Sequence, residues 1–239
     1  MWEQKDAFHS KGEDVNWWWG RARMEIVHEC MKGIMPHHMN ILEIGAGFGG
    51  MTSMLSSFGS VKAIEPYSDA VSYLQNSLKV DTYHGTLESF AETERFDLVT
   101  CFDALEHIAD DGKALSKMEA LINDKGFLIL TVPAYMFLWN RHDEINHHYR
   151  RYGRKELIRR LPRSLVIRKA SYFNTLLFPM AVLDKLLFAK NKRSYSLHPN
   201  KSVNAILYRI FSMERSILRF TDLPFGVSIL LIAQKRETL

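Results

Sequence analysis

The segment ILEIGAGFGG (residues 41–50) constrains the fold more than any other stretch. An apolar strand runs without a spacer into Gly45-Ala46-Gly47-Phe48-Gly49, and a helical pattern follows. Glycines in that arrangement let the backbone turn tightly and bring its N–H groups against a ligand. Strands and helices then alternate. Apolar runs at 40–45, 61–66, 80–85, 96–105 and 127–133 read as strands, and GMTSMLSSFG (50–59), SDAVSYLQNSLK (68–79) and DDGKALSKMEALIN (110–123) as helices. Near-continuous apolar strands joined by helices imply a parallel sheet covered on both faces. A helix is expected at 15–34 before this unit. A short helix at 153–161 and strands at 164–173 and 227–236 follow it.

Glu65 closes the second strand and can accept both hydroxyls of a ribose. Gly45, Gly47 and Gly50 also satisfy a dinucleotide-binding pattern, so the glycines alone leave the ligand open. Glu43 bears on the choice, because a carboxylate two residues before Gly45 would repel a pyrophosphate. It suits a cationic ligand such as S-adenosylmethionine (SAM).

EIGAGFG, AIEP, FDLVTCFDALEHI and GFLILTVP, in that order, resemble a class I SAM-dependent methyltransferase. The resemblance is close over about 37–133 and looser to the end of the chain. It implies a Rossmann-like α/β fold with a seven-stranded, mostly parallel sheet and an antiparallel last strand. It also implies that Glu43 and Gly45, Ala46, Gly47, Phe48 and Gly49 hold the methionine part of SAM, and Glu65 the ribose. Pro66 and Tyr67 would lie beside the adenine, Thr86 and Leu87 at its edge, and Phe102 and Asp103 on the sulfur side. The chain departs from the family at Thr86, where Asp or Asn is usual.

FDALEHI follows the fourth strand, where the crevice of an open α/β sheet lies. In a helical turn, Asp103, Glu106 and His107 share one face. LEHI resembles ubiquinone-biosynthesis O-methyltransferases. The D-x-x-E-H spacing is also similar to the metal site of small-RNA 2′-O-methyltransferases, which gain a further histidine after the fifth strand. Here that region is WNRHDEINHHYRRYGR (139–154). Methyl transfer needs alignment and removal of the acceptor's proton, which a neutral histidine can do. His107, His148 and Asp103 are therefore the expected catalytic residues. A divalent cation on Asp103, Glu106, His107 and His148 is the alternative and is not favoured. Trp18, Arg21, His147, Tyr149, Arg150 and Arg151 are expected around the acceptor, the last two as an anion clamp. His142-Asp143 is expected to tie the loop down.

Composition narrows the acceptor. Residues 1–132 carry 11 Lys and Arg against 20 Asp and Glu, and residues 133–239 carry 20 against 7. The basic half suits something anionic, or simply solvates its helices. Three consecutive tryptophans, Trp17 to Trp19, occupy different helix faces, so at least one should cover a ligand or partner. Tryptophan-rich starts before such a loop resemble other bacterial methyltransferases, which places residues 1–36 as a helical lid. Residues 37–133 form the SAM-binding core, 134–173 the acceptor loop, helix and strand, 174–224 a helical insertion, and 225–239 the final strand of one domain. The insertion's longest apolar run, Leu176 to Leu183, is too short to span a bilayer. Glu214 falls on an apolar helical stripe and is expected to pair with an arginine. The two cysteines form no CxxC, and the polar N-terminus shows no signal peptide, so the cytoplasm is the expected compartment, with peripheral contact to a membrane open.

SAM-dependent O-methylation of a small, partly apolar or lipid-like acceptor with an anionic or hydroxyl-rich part is the favoured function, with S-adenosylhomocysteine (SAH) as product. The alternatives are N-methylation, RNA methylation and a non-catalytic SAM-fold partner subunit. No RNA-binding module is visible, which argues against a nucleic-acid partner.

Overall fold

In a computed structural model, residues 17–36, 38–91, 93–188 and 200–237 are described. The N-terminal segment read as free of a signal peptide, and the first part of the expected lid, lie outside them. The chain runs α1 (Trp18–Lys32), β1 (Met39–Ile44), α2 (Thr52–Leu55), β2 (Gly59–Glu65), α3 (Ser68–Asn76), β3 (Asp81–His84) and β4 (Phe96–Phe102). A 3-10 turn at Leu105–His107 leads to α4 (Asp111–Ala120) and β5 (Ile122–Pro133). A second 3-10 turn, Met136–Leu138, precedes α5 (Arg141–Ile145), α6 (Arg154–Arg160) and β6 (Leu165–Phe173). Then come α7 (Phe178–Phe188), α8 (Lys201–Ser212), α9 (Glu214–Leu218) and β7 (Ser228–Lys235).

The sheet order is β3-β2-β1-β4-β5-β7-β6. The first five strands pair in parallel, and β7 runs antiparallel to β5 and β6. Alternation along the strands sends side chains to two cores. Leu42, Ile44, Val99, Leu128 and Leu231 meet Leu115 and Met118 of α4 on one face. Ile41, Leu98, Ile129, Leu230 and Ile232 meet Ile26, Val27 and Met31 of α1, with Phe211 of α8 and Leu218 of α9, on the other. Most of α1 is thus a covering layer of the sheet. Its fully buried apolar side chains each contribute about 1.5–3 kcal/mol, and only its first turn reaches the crevice.

Three elements depart from the sequence expectation. The helix predicted over 50–59 shrinks to Thr52–Leu55, because Ser56 and Ser57 turn their hydroxyls onto the Thr52 and Met54 carbonyls. Gly59 then opens β2 against Met39, whose carbonyl oxygen would stand 1.9 Å from a Cβ. The helix predicted to Asn123 ends at Ala120. The Asn123 side chain instead donates to Asp97, across the register shift where β5 joins β4. In the insertion, Glu214 has no arginine partner among the described residues. Its carboxylate accepts the Leu176 N–H at 2.7 Å and is held by backbone N–H groups at Asn174 and Thr175, which fixes the entry to α7.

Candidate functional site

A cavity of about 1240 Å³ opens at the C-terminal ends of β1, β2 and β4, where an open α/β sheet places its ligands. Gly45 and Gly47 line it with φ of 72° and 55°. Those angles favour glycine, and a Cβ at Gly45 would meet that of Ala104 at 2.7 Å. Glu65 also lines the cavity and is held on both oxygens, by the Gly47 N–H at 2.7 Å and the Tyr67 N–H at 3.0 Å. Burial pushes its carboxyl up from the ordinary range. Pro66, Tyr67, Thr86, Leu87 and Asp103 continue the wall.

The other expected SAM contacts lie behind this surface. Glu43 is 2% exposed and accepts the Thr52 hydroxyl at 2.6 Å. Burial pushes its pKa up to about 7 against that hydrogen bond. It therefore supports the glycine turn from below and does not line the cavity. Ala46 is buried beneath the turn, Phe48 packs edge-on against Tyr73, and Gly49 packs on Leu74 and Leu78. Phe102 belongs to the core under α1.

Asp103 adopts φ of 48° and is ion-paired with Arg23 of α1. The Arg23 guanidinium also stacks on Trp19, 4.5 Å from the ring centre. This arginine, which the sequence reading passed over, replaces Arg21. Arg21 pairs with Glu25 and stacks on Tyr208, away from the cavity. The spacing held the signal, since Arg23 stands one helical turn from Trp19 on the same face. Trp17, Trp18 and Trp19 all line the cavity.

Beyond Asp103, the cavity reaches a polar corner. The Asn140 and Asp143 side chains form a capping box that starts α5, so the loop is less irregular than the sequence suggested. Asp143 is fully buried. Its two oxygens receive Arg151 Nε at 2.8 Å and Nη2 at 2.9 Å, and His148 Nδ1 lies 2.9 Å from Oδ1. Burial alone would raise the Asp143 pKa, but these partners hold it at about 2. The Tyr149 N–H donates to the Glu106 carbonyl, which brings His148 beside the Leu105–His107 turn. The His107 and His148 rings stand perpendicular with centroids 4.5 Å apart. Burial, then the neighbouring His148, lowers the His107 pKa to about 4. His107 is therefore neutral at pH 7.

The structure places the residues expected around the acceptor unevenly: Trp18 and Arg151 line the cavity, and Arg21, His147, Tyr149 and Arg150 do not. Arg151 is 8% exposed and engaged by Asp143, with a further bond to the Ala134 carbonyl. Arg150 reaches Asp111 at 3.0 Å and the Ala109 carbonyl. The anion clamp is thus two internal ties. Tyr149 is 58% exposed on the outside, and His147 turns away at φ of 53° and does not line the cavity. Among the described residues, Glu106, His107 and His148 have donor atoms close enough to share a metal ion, and Asp103, paired to Arg23, does not join them. An aliphatic wall comes from Leu177 just before α7, from Met180, Ala181, Leu183 and Leu187 of α7, and from Leu207 of α8. The sequence marked the insertion as apolar but not which of its residues face the cavity.

Three comparisons agree with this architecture. A ubiquinone biosynthesis O-methyltransferase of Azorhizobium caulinodans is 30% identical over 100 residues, covering 39% of this chain and 40% of that protein. One from Paraburkholderia phymatum is 27% identical over 142 residues, 51% of this chain and 61% of that protein. The chain spans about half the length of the curated relatives it matches. Among solved structures, the N-methyltransferase NodS from Bradyrhizobium japonicum bound to SAH superposes with a TM-score of 0.62 at 13% identity, over 98% of this chain and 96% of that one. A SAM-dependent methyltransferase from Clostridium acetobutylicum gives 0.57 at 12% identity, over 92% of each. At that identity the likeness is one of fold. A family model described as a methyltransferase domain matches residues 18–165. With that match over more than half its length, the chain belongs to the methyltransferase-domain family and carries the Rossmann-like class I fold of the SAM-dependent enzymes.

Proposed function

We propose that the chain transfers a methyl group from SAM to a hydroxyl of a small, partly apolar acceptor. One observation carries this reading. A single cavity joins the glycine turn and Glu65, through Asp103, to the Glu106–His107–His148 corner and then to an aliphatic wall. The residues fit the cofactor. Positive-φ glycines leave room for close approach, and Glu65, with one N–H on each oxygen, keeps acceptor capacity for ribose hydroxyls. SAM supplies an electrophilic methyl on a sulfonium. The protein aligns the acceptor, excludes water with the tryptophans and α7, and receives the hydroxyl at the corner, where neutral imidazoles favour its ionisation.

The aliphatic wall supports the lipid-like part of the proposal, and the internal pairing of Arg150 and Arg151 withdraws the anion clamp, which leaves the basic half as the support for an anionic part. Met180, Leu183, Leu186 and Leu187 are each more than half exposed on α7, which suits an acceptor arriving from an apolar phase. Among the described residues, no helix is long and apolar enough to cross a membrane. The test is methyl transfer from radiolabelled SAM to paired acceptors: alkylphenols and alkylcatechols, the matching alkylamines, and an RNA oligonucleotide. Label on the phenolic acceptors supports the reading. Label confined to amines or RNA, or no transfer to any, sinks it.

A further inference from the structure

We propose that Asp184 of α7 determines acceptor specificity by pairing with a protonated amine, so that the acceptor is an amphiphile with a basic nitrogen on its apolar part. The phase of the helix carries this. Leu177, Met180, Ala181, Asp184 and Leu187 all line the cavity. Their spacing of i, i+3, i+4, i+7 and i+10 is that of one helix face. Asp184 therefore stands half-buried within an aliphatic stripe. Leu186 does not line the cavity and is 74% exposed. A surface helix ordinarily does the reverse, with its acid outward and its leucines inward. Solvation of the helix does not account for an acid on this face.

The chain supplies no cation to meet it. Lys185, the next residue, turns its ammonium to the Trp139 carbonyl and does not line the cavity. Among the described residues that line the cavity there is no lysine, and Arg151 is the one arginine. Asp143 takes Arg151 through Nε and Nη2. The other basic residues described in the C-terminal half stand outside the cavity, so their charge does not reach a ligand within it.

The energetics then select among ligands. A plain hydrocarbon chain laid along this wall would take the Asp184 carboxylate out of water with nothing to pair it, which is costly. An ammonium on that chain restores a charge-assisted hydrogen bond, while its methylenes still cover the leucines. A carboxylate on the chain would meet like charge. Discrimination thus comes as much from the penalty on the wrong ligand as from attraction to the right one. The amine is a separate group from the hydroxyl received at the Glu106–His107–His148 corner. Calling the ligand a methyl acceptor rests on the methyl-transfer reading, whereas the preference for a cation in binding does not.

The test compares three probes on the whole chain: hexylcatechol, its 6-aminohexyl analogue and its 5-carboxypentyl analogue. Binding is read by quenching of tryptophan emission, since Trp17, Trp18 and Trp19 line the cavity, and transfer by label from SAM on the ring oxygen. The parent should prefer the amine over hexylcatechol by about tenfold or more, and should bind the carboxylate least. Asp184→Asn should cut the amine preference by about tenfold, and Asp184→Lys should turn it toward the carboxylate. Circular dichroism checks that both variants fold. A parent that binds none of the probes, or ranks the three equally, overturns the assignment. So does an amine preference that survives both substitutions. Amine-selective binding without any methyl transfer would sink the methyl-transfer reading and leave Asp184 in its role, and transfer without amine preference would do the opposite.

Discussion

Arg23 of α1 forms an ion pair with Asp103 at the end of β4. It joins the helix that covers one sheet face to the residue beside the cofactor crevice. Both side chains are only partly exposed, at 15% and 20%, so solvent screens the pair less than a surface one. A hydrogen-bonded charge pair of this kind is worth about 1.5–3 kcal/mol. Arg23→Met should therefore weaken SAM binding by about tenfold, because Asp103 and Trp19 both lose their support. Arg21→Met should change it less than about twofold, since Arg21 faces Glu25 on the outside. Calorimetric titration of both variants decides this, and equal effects would contradict the arrangement.

Glu43 gives the chain a pH signature. Its carboxyl is raised to about 7 in the folded state, against about 4.3 in an unfolded chain. The folded state then holds the proton more tightly. The resulting stabilisation is full below the unfolded value and is lost as pH rises through 7. Glu43→Gln should remove that slope, and at pH 8 should be more stable than the parent by up to about 3 kcal/mol. Urea unfolding at pH 5 and pH 8 measures it. A parent and variant that lose stability in parallel would rule out a protonated Glu43.

Arg150 and Arg151 are neighbours with unequal importance. Arg151 and Asp143 are a buried pair, and removing one partner strands the other charge at a cost of about 3–5 kcal/mol. Arg151→Met should lower the melting temperature by several degrees or more. Arg150→Met removes one partner of the buried Asp111, which keeps Arg160 and the Tyr152 hydroxyl, and should cost less, about 1 kcal/mol. Thermal melts separate them. Similar losses would mean that the loop is held some other way.

Leu183 and Leu187 lie on the aliphatic wall of the cavity. Replacing Leu183 by Trp should raise KM for long-chain acceptors by about tenfold, with SAM affinity unchanged. A steady-state comparison of short and long alkylcatechols reports this directly. An unchanged chain-length preference would place the acceptor elsewhere.

The sheet and the glycine turn were legible because they are local. Alternating apolar runs and glycines at Gly45 and Gly47 state their own conformations, and Glu65 follows from its place at a strand end. His107 and His148 were legible as chemistry, but their meeting was not, because it depends on the Tyr149-to-Glu106 bond and the Asn140–Asp143 cap. Arg150 and Arg151 misled, since a sequence shows a charge but not the buried acid that consumes it. Glu214 misled in the same way: its partners are backbone N–H groups of Asn174 to Leu176, which no side-chain pattern records. The insertion was legible as apolar, but α7 is apolar on most sides, so periodicity could not say which side faces the cavity.

The central claim is that the crevice at Gly45, Gly47 and Glu65 holds SAM. Isothermal titration of the chain with SAM tests it most directly, alongside Glu65→Ala checked for folding. The predicted result is one SAM per chain with Kd below about 100 μM, weakened at least about tenfold in the variant. A folded parent chain that takes up no SAM, or a variant that binds it equally well, would contradict the account.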